Sequence, residues 1–160
     1  MADISRRQFL RGDFSGRKTA PPRPPWARPE AAFVAACTRC CDCVNVCPQH
    51  ILTLDREARP TVDFGRGECT FCGKCAEACQ PQALEKREGT PPWRLKALIQ
   101  SNCLARTNVV CRVCGDVCPV QAIRFRPAVM AAAQPEVDNA LCTGCGACHA
   151  PCPAQAIRIA

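Results

Sequence analysis

Residues 37–48 read CTRCCDCVNVCP, and four of their cysteines follow the spacing C-x2-C-x2-C-x3-C with a proline directly after the last. The same spacing recurs twice further along the chain, and a set with a longer first gap lies between these two recurrences. We call the sets quartets I to IV; they are Cys37, Cys40, Cys43 and Cys47; Cys69, Cys72, Cys75 and Cys79; Cys103, Cys111, Cys114 and Cys118; and Cys142, Cys145, Cys148 and Cys152. The enlarged first loop of quartet III can still deliver a ligand. Such self-similarity predicts a chain built from repeated structural units.

The regular spacing is that of the bacterial ferredoxin run, in which three thiolates hold one [4Fe-4S] cluster and the fourth ligates the neighbouring cluster. It therefore predicts four [4Fe-4S] clusters, most directly for quartets I, II and IV. The predicted ligand sets are Cys37, Cys40, Cys43 with Cys79, and Cys69, Cys72, Cys75 with Cys47, and the same exchange would link Cys118 and Cys152 in the second half. Gly144 and Gly146 allow the positive φ angles that a tight loop can demand.

Other interpretations of the cysteines stay open at the level of sequence. Four thiolates also form a standard structural zinc site, although zinc ribbons usually place two cysteine pairs far apart. Disulfides suit secreted chains, and the chain has an odd number of cysteines, 17. Cys41 breaks no spacing and is interpreted as a spare thiol that could replace a damaged Cys40. His50 and His149 occupy no quartet position, so surface or supporting roles are expected.

The composition leaves little material for an ordinary hydrophobic core. Of 160 residues only 5% are aromatic and none is Tyr. The formal charge is +7, but four clusters with their thiolates would carry about −2 each and bring the chain close to neutrality. Without a basic patch interleaved with aromatics, a nucleic-acid partner is not expected. No apolar run approaches the roughly 18 residues that span a bilayer, so a soluble protein is expected.

The predicted fold class is α+β, with tandem bacterial ferredoxin-like units that contain short helices and small hairpins and are stabilised by their clusters. We predict a basic, Pro-rich N-terminal arm at residues 1–30. A first two-quartet unit is expected at residues 31–90. A linker helix is expected at residues 91–102, where two prolines precede good helix formers. The second two-quartet unit is expected at residues 103–160.

The N-terminal stretch at residues 5–11 reads SRRQFLR and is similar to the twin-arginine export consensus. A signal also needs an apolar segment of about 7 to 15 residues and a small-residue cleavage site. Residues 12–25 are instead polar, charged and proline-rich. We therefore expect a basic docking arm and a cytoplasmic protein, because thiols stay reduced in the cytoplasm.

The quartets, the Ser-Arg-Arg start, Arg23-Pro24-Pro25-Trp26 and the long gap from Cys103 to Cys111 together resemble the NapF family of ferredoxin-type proteins over nearly the whole chain. The resemblance implies a cytoplasmic accessory protein that acts on the catalytic subunit precursor of periplasmic nitrate reductase before its export. The alternative is an electron-carrier subunit of a quinol- or dehydrogenase-linked complex. We expect one-electron transfer, because each of the predicted clusters can cycle by a single electron. The sequence has no nucleophile-and-base pair and no glycine-rich phosphate loop, so we expect no catalytic residues and no autonomous enzyme.

Overall fold

The computed structural model describes residues 21–160, so the twin-arginine-like stretch at residues 5–11 lies outside the described residues. The elements in chain order are helices α1 (Glu30–Ala36) and α2 (Asp42–Asn45), strands β1 (Leu52–Leu54) and β2 (Pro60–Val62), helix α3 (Lys74–Glu77), strand β3 (Ala97–Ile99), helix α4 (Val113–Asp116), and strands β4 (Ile123–Ala128), β5 (Ala131–Val137) and β6 (Ile157–Ile159). None of the helices in this range is both long and apolar enough to span a bilayer. The small mixed content of helices and strands agrees with the predicted short helices and hairpins.

The first unit includes part of the predicted N-terminal arm, so the boundary at residue 30 is wrong for the described residues. Pro24, Pro25 and Trp26 are buried. The carbonyl of Pro22 accepts hydrogen bonds from the backbone N–H of Val62 at 2.9 Å and from a threonine hydroxyl of β2. The prolines favour an extended backbone, as expected, but that backbone packs against the hairpin β1–β2 instead of lying in solvent.

The predicted linker helix at residues 91–102 is also wrong, because this segment is extended and contains β3. Strand β3 pairs antiparallel with β6, with Ala97 opposite Ile159 and Ile99 opposite Ile157. Ala97 is buried and Leu98 is exposed, which is the alternation of a half-buried strand. Helix propensity is a weak prior that tertiary pairing overrides. The second unit therefore begins before residue 103.

The two units share one plan. Each has a hairpin after its first quartet, β1–β2 in the first unit and β4–β5 in the second. Each also pairs a segment that precedes its quartets with one that follows them, through an isolated bridge between Ala27 and Leu84 in the first unit and through β3–β6 in the second. A Pro-Pro-Trp sequence opens both units, and the N–H of Trp26 donates to the carbonyl of Pro92 at 2.6 Å.

The core is small and includes several of the quartet cysteines. Its largest fully buried apolar side chains are Phe33 and Ile51. Among the buried side chains packed into the same core are Cys43, Cys75 and Cys148. The chain thus places its thiols in the region that ordinary apolar side chains fill in larger proteins.

Candidate metal centres

The loops of quartets I, II and IV repeat one backbone conformation. In each of them the residues two and four positions after the first cysteine have positive φ; they are Arg39 (62°) and Cys41 (68°), Phe71 (53°) and Gly73 (88°), and Gly144 (72°) and Gly146 (88°). The expected positive φ angles of the two glycines of quartet IV are confirmed. Cys41 occupies the position that glycine occupies in quartets II and IV, so a side chain there is strained.

A tight turn follows the last cysteine of every quartet. The residue three positions later has positive φ and its N–H donates to the carbonyl of that cysteine at 3.0 or 3.1 Å; these residues are His50, Gln82, Gln121 and Gln155. In quartets I, II and III a short helix, α2, α3 or α4, contains the third cysteine, and in quartet IV a turn takes its place. The fourth cysteine therefore lies between the element that contains the third cysteine and the tight turn.

The thiols of different quartets meet around three hollows. One is lined by Cys37, Cys40, Cys43 and Cys79, the second by Cys47, Cys69, Cys72 and Cys75, and the third by Cys103, Cys111, Cys114 and Cys152. We call these hollows cradles I, II and III, after the quartet that contributes three thiols. Each set draws its fourth thiol from the partner quartet of the same unit, as the predicted ligand exchange requires.

The cysteines of quartet IV form a fourth group, which we call cradle IV. Cys148 lies close enough to Cys142 and Cys145 for their charges to interact. Cys118, which the sequence assigns to this group, lines a surface cleft together with Leu141, the residue before Cys142. The ligand role of Cys118 therefore stays a prediction.

The donor chemistry of the three hollows fits [4Fe-4S] clusters. No carboxylate or imidazole is among the residues that line them, and each includes the four cysteine thiols of one predicted ligand set, as these clusters require. Between residues 21 and 160, no three His, Cys, Asp or Glu side chains converge closely enough to hold a single metal ion. The thiols instead surround a space between them.

Burial raises the pKa of five of the quartet thiols. Burial, reinforced by neighbouring thiols, raises the pKa of Cys43, Cys75 and Cys148 to about 12. The same cause raises the pKa of Cys69 and Cys114 to about 11. Because iron binds thiolates, a bound cluster would have to compensate both the desolvation and the mutual repulsion with its own positive charge.

Backbone N–H groups point at several of the quartet sulfurs. The Sγ of Cys79 accepts a hydrogen bond from the N–H of Leu84 at 3.4 Å. The corresponding bonds reach Cys118 from Ala122 and Cys152 from Ala156, both at 3.3 Å. Hydrogen bonds to cluster sulfurs are one of the factors that set reduction potentials.

The four cradles are neighbours in space in the order I, II, IV, III, and we call this row the file. Cys43 of cradle I interacts electrostatically with Cys75 of cradle II, as the pKa of Cys75 reflects. Cradles II and IV meet where the N–H of Cys69 donates to the carbonyl of Cys145 at 2.8 Å. Cradles IV and III are neighbours at Cys148 and Cys114, because burial and then nearby thiols, Cys114 among them, raise the pKa of Cys148. The file therefore crosses from one unit to the other between its second and third members.

Aromatic residues at the cradles were missed by the sequence analysis of the site. Trp26 and Phe71 line cradle II. The indole N–H of Trp93 donates to the carbonyl of Thr143 in the loop of quartet IV at 2.8 Å, and its ring meets Phe71 edge-to-face. The repeated Pro-Pro-Trp sequence would have marked both tryptophans as equivalent parts of the two units.

The remaining thiol and the two histidines stay outside the predicted ligand sets. Cys41 lines cradle I and its Sγ contacts the carbonyl of Arg39 at 3.5 Å. His50 is exposed, whereas His149 lies 2.6 Å from the carbonyl of Ile157 through its Nδ1. Neither histidine lines cradles I to III.

Comparisons with known proteins agree with this donor chemistry. The chain matches the family described as "4Fe-4S dicluster domain" at residues 36–92 and 109–156, so Cys103 lies outside the second match. It is 44% identical to "Ferredoxin-type protein NapF" of Escherichia coli strain K12, over 97% of this chain and 93% of that protein. It is 43% identical to the protein of the same name from Haemophilus influenzae, over 98% of this chain and 94% of that protein. It is 36% identical to "Methylamine utilization ferredoxin-type protein MauM" of Methylorubrum extorquens, over 81% of this chain and 67% of that protein.

Proposed function

The chain belongs to the NapF family of ferredoxin-type proteins, and from this premise we propose that it delivers single electrons, in the cytoplasm, to the catalytic subunit precursor of periplasmic nitrate reductase before export. Its general character as a ferredoxin-type iron-sulfur protein follows from the family. The compartment, the partner and the stage of maturation are the proposal. The number of clusters, four, is also proposed.

The observation that carries the proposal is the file of cradles. The thiols of cradles I to III would each hold a [4Fe-4S] cluster, and Cys118, Cys142, Cys145 and Cys148 would hold the fourth. When bound, such a cluster supplies reversible one-electron chemistry. A file with the order I, II, IV, III gives an electron a route from one end of the molecule to the other.

The protein's own residues have three tasks in this scheme. The thiols bind the metal, and the N–H groups that donate to Cys79, Cys118 and Cys152 stabilise negative charge on the sulfurs. Apolar side chains, such as Trp26 and Phe71 at cradle II, would limit the access of water to a bound cluster. None of these tasks requires a substrate pocket, so we propose that the chain acts on a protein partner and has no substrate site of its own.

The junction between cradles II and IV is the step on which long-range transfer depends. It contains the hydrogen bond from the N–H of Cys69 to the carbonyl of Cys145. It also contains the ring of Trp93, whose centroid lies 5.7 Å from that of Phe64 and 5.4 Å from that of Phe71. Such edge-to-face aromatic packing adds to area burial and holds the two loops in fixed contact. The two units would therefore act as one redox device.

The first experiment is anaerobic isolation followed by metal and sulfide analysis. We expect a brown protein with about sixteen iron atoms and about sixteen acid-labile sulfides per chain. A colourless protein that contains zinc and no sulfide would refute the proposal and favour structural zinc sites in a protein that serves as an interaction scaffold.

The second experiment tests the partner. The purified, cluster-loaded protein is mixed with the purified catalytic subunit precursor, and binding is measured together with electron transfer after reduction by dithionite and its removal. Binding with oxidation of the loaded protein supports the proposal. No binding to the precursor, with firm binding to a quinol-oxidising complex, would favour the electron-carrier alternative.

A further inference from the structure

Three apolar side chains near cradle III are far more exposed than any other large apolar side chain in residues 21–160. Val110, Val129 and Met130 are 84%, 94% and 98% exposed, whereas the others in this range do not exceed 49%. We call these three residues and the half-exposed Val109 the tip patch. Single exposed apolar residues are ordinary, but a group of them indicates an interaction surface.

The two segments that carry the tip patch meet beside a cradle ligand. The N–H of Ala132 donates to the side-chain oxygen of Asn108 at 2.7 Å. Val110 follows Asn108 by two residues and Met130 precedes Ala132 by two, so both flank this hydrogen bond. Cys111, a thiol of cradle III, comes directly after Val110. The patch therefore lies beside cradle III, at one end of the file.

The two residues of the β4–β5 turn are not those that a tight turn in solvent favours. Val129 and Met130 connect β4 and β5 as a two-residue turn, and Met130 has φ of 54°. Exposed tight turns favour Asn, Asp and Gly, which tolerate positive φ and interact well with water. A position where local preference and solvation both argue against the residue present is expected to serve function.

Two exposed arginines lie close to cradle III, and we call them the arginine rim. Arg106 lies three residues after Cys103, Arg112 directly follows Cys111, and neither forms an ion pair within residues 21–160. The guanidinium of Arg112 lies 4.7 Å from the ring of Phe125, which lines cradle III. Because the cluster-loaded chain would be close to neutral overall, this local charge would dominate the attraction of a partner.

We propose that the tip patch and its arginine rim dock a redox protein whose contact surface is apolar and ringed by carboxylates. The inference rests on the proposed function, because it makes cradle III the end of the file from which electrons leave. The apolar centre would supply affinity and the arginines would orient the encounter.

The test measures binding by the cluster-loaded full chain. The immobilised probes are the catalytic subunit precursor and, as a carboxylate-rich redox protein, an acidic plant-type ferredoxin. The main variant is Val129→Asn with Met130→Gly, which removes two exposed apolar side chains and places glycine at the positive φ of residue 130, so thermal stability should be unchanged or raised. Leu54→Asn, at a half-exposed position of β1 in the first unit, is its control. Arg106→Glu is compared with Arg56→Glu, another exposed arginine without an ion pair in the described part of the chain.

We expect the turn variant to weaken binding about tenfold or more, as for central interface residues. Arg106→Glu should weaken binding several-fold and flatten its dependence on ionic strength. Both controls should stay within about twofold of the unmodified chain. Loss of binding to the acidic ferredoxin in the turn variant supports the inference even if the precursor never binds, in which case only the proposed function fails.

Three outcomes would overturn the inference. The first is that the turn variant binds both probes as tightly as the unmodified chain, which would leave the proposed function intact if the precursor still binds. The second is that the unmodified chain binds neither probe. The third is that the unmodified chain forms a dimer that the turn variant abolishes, in which case the tip patch joins two copies of this chain.

Discussion

Gly144 lies where the loop of quartet IV touches the extended segment before β3, and its replacement by Ala should detach that loop. A Cβ atom at Gly144 would lie 2.2 Å from the carbonyl oxygen of Leu95. That carbonyl has little freedom to move, since Trp93 is bonded to Thr143 and Lys96 exchanges backbone hydrogen bonds with Ala160. Overpacking of this kind costs about 1 to 3 kcal/mol. The φ of 72° at Gly144 adds about 1 to 2 kcal/mol for any residue with a Cβ.

Gly89 provides a matched control for the Gly144→Ala variant. Its φ is also 72°, and a Cβ there would meet nothing within 4 Å. Gly89→Ala therefore measures the backbone cost alone and should lower the apparent Tm by about 3 to 6 °C, whereas Gly144→Ala should lower it by about 6 to 15 °C.

The readouts are thermal scans at one fixed rate under anaerobic conditions, with iron and sulfide content per chain. Gly144→Ala should also lose about a quarter of its iron, as expected if one of four clusters is lost. Gly89→Ala should keep its full iron content. Equal Tm values for the two variants, with full iron in both, would show that the contact with Leu95 does not confine the loop.

Three further outcomes are expected. Cys41→Gly should keep all clusters and raise stability by up to about 1 kcal/mol by relieving positive φ, whereas loss of iron would make Cys41 a ligand. Removal of iron by a chelator under reducing conditions should abolish cooperative unfolding in urea, and a sharp transition in the apoprotein would contradict a core stabilised by its clusters. Arg23 lowers the pKa of Glu30 by hydrogen bonding, and it helps lower that of Asp55 against the opposing effect of burial. Both carboxylates therefore stabilise the fold above their unfolded pKa values, and this contribution is lost as pH falls below about 4. Arg23→Gln should accordingly destabilise by about 1 kcal/mol at pH 7 in urea titrations and by less at pH 4, and an unchanged difference between the two pH values would contradict this coupling.

The cysteine spacing was enough to predict which thiols come together in cradles I to III. This succeeded because C-x2-C-x2-C-x3-C restricts where each sulfur can lie, so a local pattern determines a local loop. The same reasoning placed positive φ at Gly144 and Gly146. It could not find Arg39, Cys41 and Phe71 at equivalent positions, because residues with a Cβ give no sign of a left-handed conformation.

The errors concern segments whose conformation depends on distant partners. Residues 91–102 have adequate helix formers, yet β3 is fixed by pairing with β6, which lies about sixty residues later in the chain. The prolines around Trp26 suggest a solvated arm, yet this segment packs on β2, which follows about thirty-five residues later. Long-range pairing of this kind leaves no periodicity in a short window of sequence.

The exchange of the fourth thiol between quartets imposes an order on biosynthesis. Cradle I lacks its fourth predicted thiol until the ribosome has added Cys79, and cradle III lacks its fourth until Cys152 has been made. Strand β3 likewise waits for β6. Iron and sulfide inserted during translation could therefore complete the first unit early, while the nascent second unit keeps its thiols open until nearly all of it has emerged.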